Sequence, residues 1–137
     1  MGFAGVLLIA VQMSRSPEST RVAVLGASPS RERFSNKAVH RLSKAGYETI
    51  PINPNTPEVA GIPCLPDLGM TKDIDTVTIY LSAKHSGGLE EQLVALAPRR
   101  VIFNPGAENP ELRQNLEKKH IICIEACTLV MLDVGSF

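Results

Sequence analysis

The fold is decided by the stretch RVAVLGAS at residues 21–28. After Arg21 its first residues are all apolar, a pattern typical of a strand buried on both faces of a parallel sheet. Gly26, Ala27 and Ser28 then break the strand with a turn of small residues. Four later segments predict further strands: Glu48–Ile52, Thr76–Leu81, Arg100–Phe103 and Ile121–Ile124.

Helical patterns separate most of these strands. The first helix is expected to begin at Ser35 or Asn36, either of which can cap it, and to end before Gly46. Others are predicted for residues 86–97, for the segment that Asn109 caps, and for residues 127–132. This alternation predicts an α/β fold, a single doubly wound parallel sheet of Rossmann-like type with about five strands.

The length of 137 residues fits one domain, which we assign to residues 21–137. Residues 1–20 are expected to be an N-terminal extension and linker, or in part an addition ahead of a natural start at Met13. The apolar run Phe3–Val11 is too short to span a membrane, which takes about 20 residues, and no basic residue precedes it as in a secretory signal. We therefore expect no membrane association.

Composition excludes several classes of function. Fourteen Lys and Arg balance fourteen Asp and Glu, so the basic excess of a nucleic-acid binder is missing. Three cysteines lack the spacing of a disulfide framework or a zinc site, which indicates a reducing compartment and a cytoplasmic location. Cys123 lies in an apolar strand and is expected to be structural.

A ligand is expected where the carboxyl ends of parallel strands meet. Four loops rich in Gly, Pro, Ser and Asn reach that edge: 26–36, 53–58, 82–86 and 104–109. The first leads into a helix N-terminus, which favours phosphate, and Arg31, Arg33 and Lys37 lie near it. A nicotinamide cofactor is disfavoured, because Ser28 and Arg31 stand where the dinucleotide motif has glycine, and Asn53 replaces the ribose-binding acid.

Residues 21–137 resemble the single-domain coenzyme A-binding proteins, relatives of the N-terminal domain of the succinyl-CoA synthetase α subunit. The stretches that carry the resemblance are Val22-Ala-Val-Leu-Gly-Ala-Ser28, Phe34-Ser-Asn-Lys-Ala-Val39, Ala45-Gly-Tyr-Glu-Thr-Ile-Pro-Ile-Asn-Pro54, Gly61-Ile-Pro-Cys-Leu-Pro66, Val101-Ile-Phe-Asn-Pro-Gly-Ala-Glu-Asn-Pro-Glu-Leu112 and Glu125-Ala-Cys-Thr-Leu-Val-Met-Leu132.

The resemblance implies a small-molecule nucleotide ligand, coenzyme A (CoA) or an acyl-CoA. Its phosphates would lie at Gly26, Ala27, Ser28, Ser35 and Asn36, with Arg31 and Lys37 as cations. Asn53 and Pro54 would line the nucleotide portion. The remaining loops would border the ligand through Ser82, Ala83, Asn104, Pro105 and Gly106.

Synthetase activity does not follow from the resemblance. That enzyme carries its phosphorylated histidine on a second domain, and none of His40, His85 and His120 follows its active-site pattern. We expect binding without catalysis by this chain alone. Two alternatives stay open: an enzyme that uses Cys127 or His85 on a bound acyl thioester, and an interaction module without a ligand. The acyl group and any protein partner are left open.

Overall fold

A computed structural model describes residues 20–137, so the predicted extension falls outside the described residues except for Thr20. In chain order the elements are β1 (Arg21–Leu25), α1 (Phe34–Lys44), β2 (Glu48–Ile52), β3 (Glu58–Val59), β4 (Ile62–Pro63), β5 (Thr76–Ile79), α2 (Ala83–Ser86), α3 (Glu90–Leu96), β6 (Arg100–Phe103), α4 (Pro110–Glu117), β7 (Ile122–Glu125) and α5 (Thr128–Val134). Short 3-10 turns cover Leu68–Met70 and Gly87–Leu89.

The central sheet confirms the predicted α/β fold. Its order is β2-β1-β5-β6-β7, and every neighbouring pair is parallel. The chain leaves β1 for β2 on one side and later returns to β5 on the other, so the order reverses between β1 and β5. Leu25 pairs with both Ile52 and Ile79, which brings the loops after these three strands to one edge of the sheet.

Apolar side chains cover both faces of the sheet, as the unbroken strand patterns predict. In β1, Ala23 and Leu25 join one buried cluster, while Val22 and Val24 join the other. Leu112 and Leu116 of α4 pack into the first cluster, and Val39 and Leu42 of α1 into the second. In the described residues 20–137, no helix is long and apolar enough to cross a membrane.

The predicted helix boundaries needed two corrections. Helix α1 begins at Phe34, so Ser35 and Asn36 lie buried in its first turn, and Arg33 precedes it without a side-chain cap. The predicted helix over 86–97 is interrupted by a 3-10 turn at Gly87–Leu89, since two adjacent glycines each cost about 1 kcal/mol in a helix. The predicted cap at Asn109 is confirmed, because its side chain accepts a hydrogen bond from the Leu112 N–H.

Pro51 is accommodated because β2 is an edge strand, where a missing N–H donor is tolerated. Beyond β2, the strands β3 and β4 form a two-residue hairpin whose turn is Ala60-Gly61. Both turn residues have positive φ, 53° and 78°, as the commonest hairpin turn requires. Val59 belongs to the same buried cluster as Val39 of α1, and Ala60 and Gly61 line a groove together with residues of α1.

Candidate functional site

A cavity of about 830 Å³ opens at the point where the strand order reverses. Leu25 and Ile52 close its floor at the ends of β1 and β2, and Tyr80 does so just after β5. Its other walls come from the turn after β1, the start of α1, the loop after β2 and the segment 81–92. The lining residues outside the floor are Gly26, Ala27, Ser28, Arg33, Phe34, Ser35, Asn53, Pro54, Asn55, Pro66, Asp67, Leu68, Leu81, His85, Leu89, Gln92 and Pro105.

The turn after β1 packs so tightly that it requires glycine. Gly26 has φ +80°, and a Cβ added there would lie 3.0 Å from Leu81 Cδ2 and 3.3 Å from the Leu81 backbone nitrogen. Any other side chain at residue 26 would therefore force the turn and the segment after β5 apart. The close approach keeps the backbone of the turn at the surface of the cavity.

Asn53 joins the loop after β2 to this turn. Its Nδ2 donates to the Ala27 carbonyl oxygen over 2.7 Å, and its Oδ1 accepts from the Asn55 N–H over 2.7 Å. Both ends of the amide are thus engaged by the protein backbone. The Asn53 side chain therefore fixes the position of the loop after β2 relative to the turn after β1.

The N-terminus of α1 supplies backbone donors to the same cavity. The N–H groups of Asn36 and Lys37 both bond to the Arg33 carbonyl oxygen, and within residues 20–137 no hydrogen bond engages the N–H of Phe34 or Ser35. The first turn contains no acidic residue, and Arg33 itself lines the cavity. Free N–H groups, the helix dipole and an adjacent guanidinium together make this end attractive to an anion.

The side chain of Asn36 fixes the loop that leads into the helix. Its Nδ2 donates to the Ser28 carbonyl oxygen over 2.9 Å. The Ser28 hydroxyl in turn accepts from the Ser30 N–H over 3.1 Å. These bonds set the position of the small-residue turn relative to the helix N-terminus.

Aromatic and histidine side chains complete the walls. Phe34 is 65% exposed at the cavity mouth. The Tyr80 hydroxyl is buried beside Thr78 and Thr128, and burial raises the pKa of Tyr80 to about 12. His85 lies on the opposite wall, with Nδ1 3.2 Å from the Ser82 hydroxyl oxygen. Phe34 therefore gives the cavity mouth an apolar rim, and His85 adds a polar group to the wall.

The cavity brings together half of the residues predicted from the sequence: Gly26, Ala27, Ser28, Ser35, Asn53, Pro54 and Pro105. Arg31, Asn36 and Lys37 line a separate groove on the other side of the same loop. Ser82, Ala83 and Gly106 are exposed near the rim without lining the cavity.

Asn104 has a structural role beneath the site. It is 1% exposed, and its Nδ2 donates to the Thr78 hydroxyl over 2.6 Å and to the Ile79 carbonyl oxygen over 2.9 Å. Its Oδ1 accepts from the Thr128 N–H over 2.8 Å. The Asn104 side chain thus ties the ends of β5 and β6 to α5 and has no free polar atom for a ligand.

Several lining residues were missed from the sequence. Arg33 was noted only as a neighbouring cation, although a basic residue directly before a helix is a usable signal for anion binding. Asp67 and Gln92 come from segments with no motif, and only the folded chain brings them to the cavity.

The cysteines lie away from the cavity walls. Cys123 is 7% exposed, and burial raises its pKa to about 11. Cys127 precedes α5 and is half-buried, and it is not among the residues that line the cavity. Within the described part of the chain, no group of three or more His, Cys, Asp or Glu residues is placed to hold a metal ion.

A family model described as the CoA binding domain matches residues 20–133, which include every strand of the sheet and every residue that lines the cavity. The chain belongs to the CoA-binding domain family. The resemblance noted in the sequence is thereby confirmed at the level of the family.

Among relatives of this CoA-binding domain, the uncharacterized protein YneT of Bacillus subtilis is 29% identical over 114 residues, covering 82% of this chain and 84% of YneT. The crystal structure of another uncharacterized protein is 36% identical, with a TM-score of 0.82 over 86% of this chain and 98% of that chain. The dinucleotide-forming acetyl-coenzyme A synthetase 1 of Ca. Korarchaeum cryptofilum shares the fold, with a TM-score of 0.67 at 19% identity. That match covers 78% of this chain and 25% of the synthetase chain.

Proposed function

We propose that this protein binds CoA or an acyl-CoA in the cavity between β1 and β5, without catalysis by this chain alone. The observation that carries the proposal is the combination of the Gly26 turn and the free N–H groups of α1 at one cavity, in a member of a CoA-binding family.

The N-terminus of α1 is the part of the cavity suited to the diphosphate of CoA. Phe34 and Ser35 offer backbone donors, and Arg33 offers a guanidinium. Charge-assisted hydrogen bonds of this kind are about twice as strong as neutral ones. The two backbone N–H groups and the guanidinium are therefore expected to bind the diphosphate through hydrogen bonds of this kind.

The size and walls of the cavity also suit a CoA-sized ligand. Its volume of about 830 Å³ lies in the range of small-molecule sites, roughly 300–1,000 Å³. Leu81, Leu89 and Phe34 provide apolar surface. The residues present therefore fit the family's ligand.

Asn53 argues against NAD in the same cavity. Dinucleotide enzymes place a carboxylate at this strand end to accept hydrogen bonds from the ribose. Here both ends of the Asn53 amide are already bonded to Ala27 and Asn55 backbone atoms. We expect CoA to bind more tightly than NAD.

Calorimetry on the full chain at moderate salt tests the proposal, with CoA and NAD as ligands. Ser28→Asp puts a negative charge in the turn and should weaken CoA binding by about 1–3 kcal/mol. Ser136→Asp adds the same charge on an exposed residue outside the cavity and should leave CoA binding unchanged. Tighter binding of NAD, or equal CoA binding by the two variants, would contradict the proposal. Mass spectrometry of co-purifying molecules would identify the acyl group.

A second function, catalysis on a bound acyl thioester, is favoured by one observation only. His85 lines the cavity and could act on a thioester bound there. Turnover of acetyl-CoA by the purified chain, lost in His85→Gln, would establish that function in place of simple binding.

A further inference from the structure

One face of the central sheet loses its cover at β7, the edge strand. Two rows of paired residues cross this face: Val22, Thr76, Arg100 and Ile122 form one, and Val24, Thr78, Ile102 and Ile124 form the other. The first three residues of each row are at most 6% exposed, whereas Ile122 is 53% exposed and Ile124 is half-buried. Because a parallel strand is normally buried on both faces, this part of the sheet calls for a partner.

The helices on this face, α1 and α5, stop short of the edge strand. Helix α5 is fixed over β5, since the Thr128 hydroxyl oxygen lies 2.7 Å from that of Thr78. Helix α1 packs on the far side of α5, where Arg41 pairs with Asp133. The side of α5 that is turned away from α1 therefore borders an uncovered strip of β7, which includes Ile122.

The same side of α5 is itself apolar and exposed. Val130 and Val134 lie one helical turn apart and are 53% and 69% exposed. Leu129 and Asp133 lie on the other flank of the helix, because Leu129 lines a groove with residues of α1 and Asp133 forms an ion pair with α1. The two valines and the uncovered part of β7 thus make one surface. We call it the β7–α5 face, and its members are Ile122, Ile124, Val130 and Val134.

The exposed apolar side chains of this protein concentrate on the β7–α5 face. Within residues 20–137, the large apolar side chains that are exposed include three on this face, and the others, Phe34 and Met70, lie elsewhere. Aliphatic side chains that are scattered singly need no explanation, but a group of them marks an interaction site. No member of the face lines the central cavity, so the face is a separate feature.

Arg113 opposes the addition of another strand to the edge of β7. Its Nη2 donates to the Cys123 carbonyl oxygen over 3.4 Å, and its Nη1 lies 3.5 Å from Glu125 Oε2. A charged side chain laid along an edge strand is a common protection against strand pairing. A partner is therefore expected to pack on the face of β7 rather than to extend the sheet.

The charges at the two ends of β7 favour a second copy of this chain as that partner. Lys118, Lys119 and His120 precede the strand and are exposed, whereas Glu125 ends it with a side chain that is 44% exposed. A twofold axis perpendicular to the strands runs the two copies of β7 in opposite directions. Each basic end then lies against the acidic end of the other copy, while the apolar centre of the face meets itself.

We propose that the β7–α5 face is the interface of a homodimer, in which two copies pack face to face with their β7 strands antiparallel. The inference is independent of the proposed function, since it uses no residue of the central cavity. Four partly exposed aliphatic side chains per copy make a small interface, toward the class below about 1,200 Å² in which association is transient. The dimer should therefore form at high protein concentration and dissociate on dilution.

Sedimentation equilibrium of the full chain, at protein concentrations on the order of 10–1,000 µM, measures this association. The mass of the wild type should rise from monomer toward dimer across the series. Val134→Glu puts an unpaired charge into the apolar centre and should weaken dimerisation at least about tenfold. Met70→Glu is the matched control, because it adds the same charge to an apolar residue of similar exposure, 62%, outside the face. Both side chains are exposed in the monomer, so both variants should keep the wild-type circular dichroism spectrum.

Charge reversal at the two ends of β7 tests the antiparallel arrangement. Lys119→Glu sets acid against acid across the interface, and Glu125→Lys sets base against base, so each variant alone should dimerise roughly three- to tenfold more weakly. An equimolar mixture of the two should regain the dimer, because each copy then supplies the charge that the other lacks. The two positions lie at opposite ends of β7 within one copy, so rescue in the mixture requires contact between copies.

A wild-type protein that stays monomeric over the whole concentration range contradicts the proposal. Association of Val134→Glu that matches Met70→Glu also contradicts it, since the dimer would then use another surface. A dimer that forms only when residues 1–12 are removed would assign the face to the apolar run Phe3–Val11 of the same chain. Failure of the mixture to regain the dimer would overturn the antiparallel arrangement.

Discussion

The amide of Asn53 donates a hydrogen bond of 2.7 Å to the carbonyl oxygen of Ala27, joining the loop after β2 to the turn after β1. The two residues are far apart in sequence, and the strand pairing of β1 with β2 brings them together. A carboxylate cannot make this bond, because it has no donor at neutral pH. Asn53, which replaces the ribose-binding carboxylate of NAD enzymes, therefore also fixes the shape of the cavity.

We predict that Asn53→Asp lowers the free energy of unfolding by about 1–2 kcal/mol, because it replaces a donor with a charge that faces a carbonyl oxygen. Asn55→Asp is the control, since it adds the same charge to an exposed residue of the same cavity. Urea denaturation at neutral pH measures both. Equal losses in the two variants would show that charge, rather than the Asn53 bond, is responsible.

Phe34→Ala should weaken CoA binding about three- to tenfold, because the ligand loses apolar contact at the cavity mouth. Stability should change by less than about 0.5 kcal/mol, since the ring is 65% exposed. Met70→Ala is the matched control, with a side chain 62% exposed outside the cavity. Calorimetry with CoA is the measurement, and undiminished affinity in Phe34→Ala would place the ligand away from this rim.

Cys123 should make stability depend on alkaline pH. Burial raises the pKa of its thiol from an ordinary value of 9.0 to about 11, so the unfolded chain releases this proton at lower pH than the folded protein does. The stabilising contribution is complete below pH 9 and is lost as the pH rises toward 11. Between pH 8 and 10.5, we expect wild type to lose about 1–2 kcal/mol more than Cys123→Ala.

The pKa of Tyr80 is also raised by burial, so Tyr80 contributes to the pH dependence of stability as well. Because Tyr80 is present in both proteins, its contribution cancels when the profile of Cys123→Ala is subtracted from that of wild type. Denaturant titrations of both proteins across that pH range give the difference. Parallel pH profiles for the two proteins would mean that the Cys123 thiol is hydrated in the folded state.

Cys127→Ser should bind CoA as wild type does, because Cys127 lies outside the cavity lining. Incubation of the native protein with acetyl-CoA should leave its intact mass unchanged. A stable added acetyl group that is absent in Cys127→Ser would replace the binding-only function with an acyl-enzyme.

The strands, and the burial of both of their faces, can be predicted from the sequence alone because they depend on the pattern of neighbouring residues. The apolar run Val22–Leu25 has no polar alternation, so it must be covered on both faces, and the structure buries all four residues. Gly46 also marks a boundary that local chemistry sets: the Gly46 N–H bonds to the Ser43 carbonyl oxygen, and the Tyr47 N–H to that of Leu42. The helix predicted over 86–97 is interrupted at Gly87-Gly88, because two adjacent glycines disfavour a helix more than the apolar spacing around them favours it.

The edge of the sheet that carries the candidate site could be predicted from the sequence, but not which residues line its cavity. The carboxyl ends of parallel strands share an edge, so the Gly26 turn and the Asn53 loop were expected to meet, and they do. Whether a loop side chain faces the cavity or the protein interior depends on which other elements pack against that loop. Asn104 lies in a predicted ligand loop, yet Thr78, Ile79 and Thr128 engage its amide in the interior.

The sequence by itself determined the sheet, the small-residue turn after β1 and the family, because strand patterns, turn residues and the motifs that carry the resemblance are local properties of the chain. Only the tertiary structure separated Arg33 from Arg31 and Lys37, residues within a few positions of one another that line two different spaces. The β3–β4 turn and α5 form the second space with α1, although they lie far along the chain. Which cation faces which space is decided by the packing of those distant elements, and no local pattern encodes it.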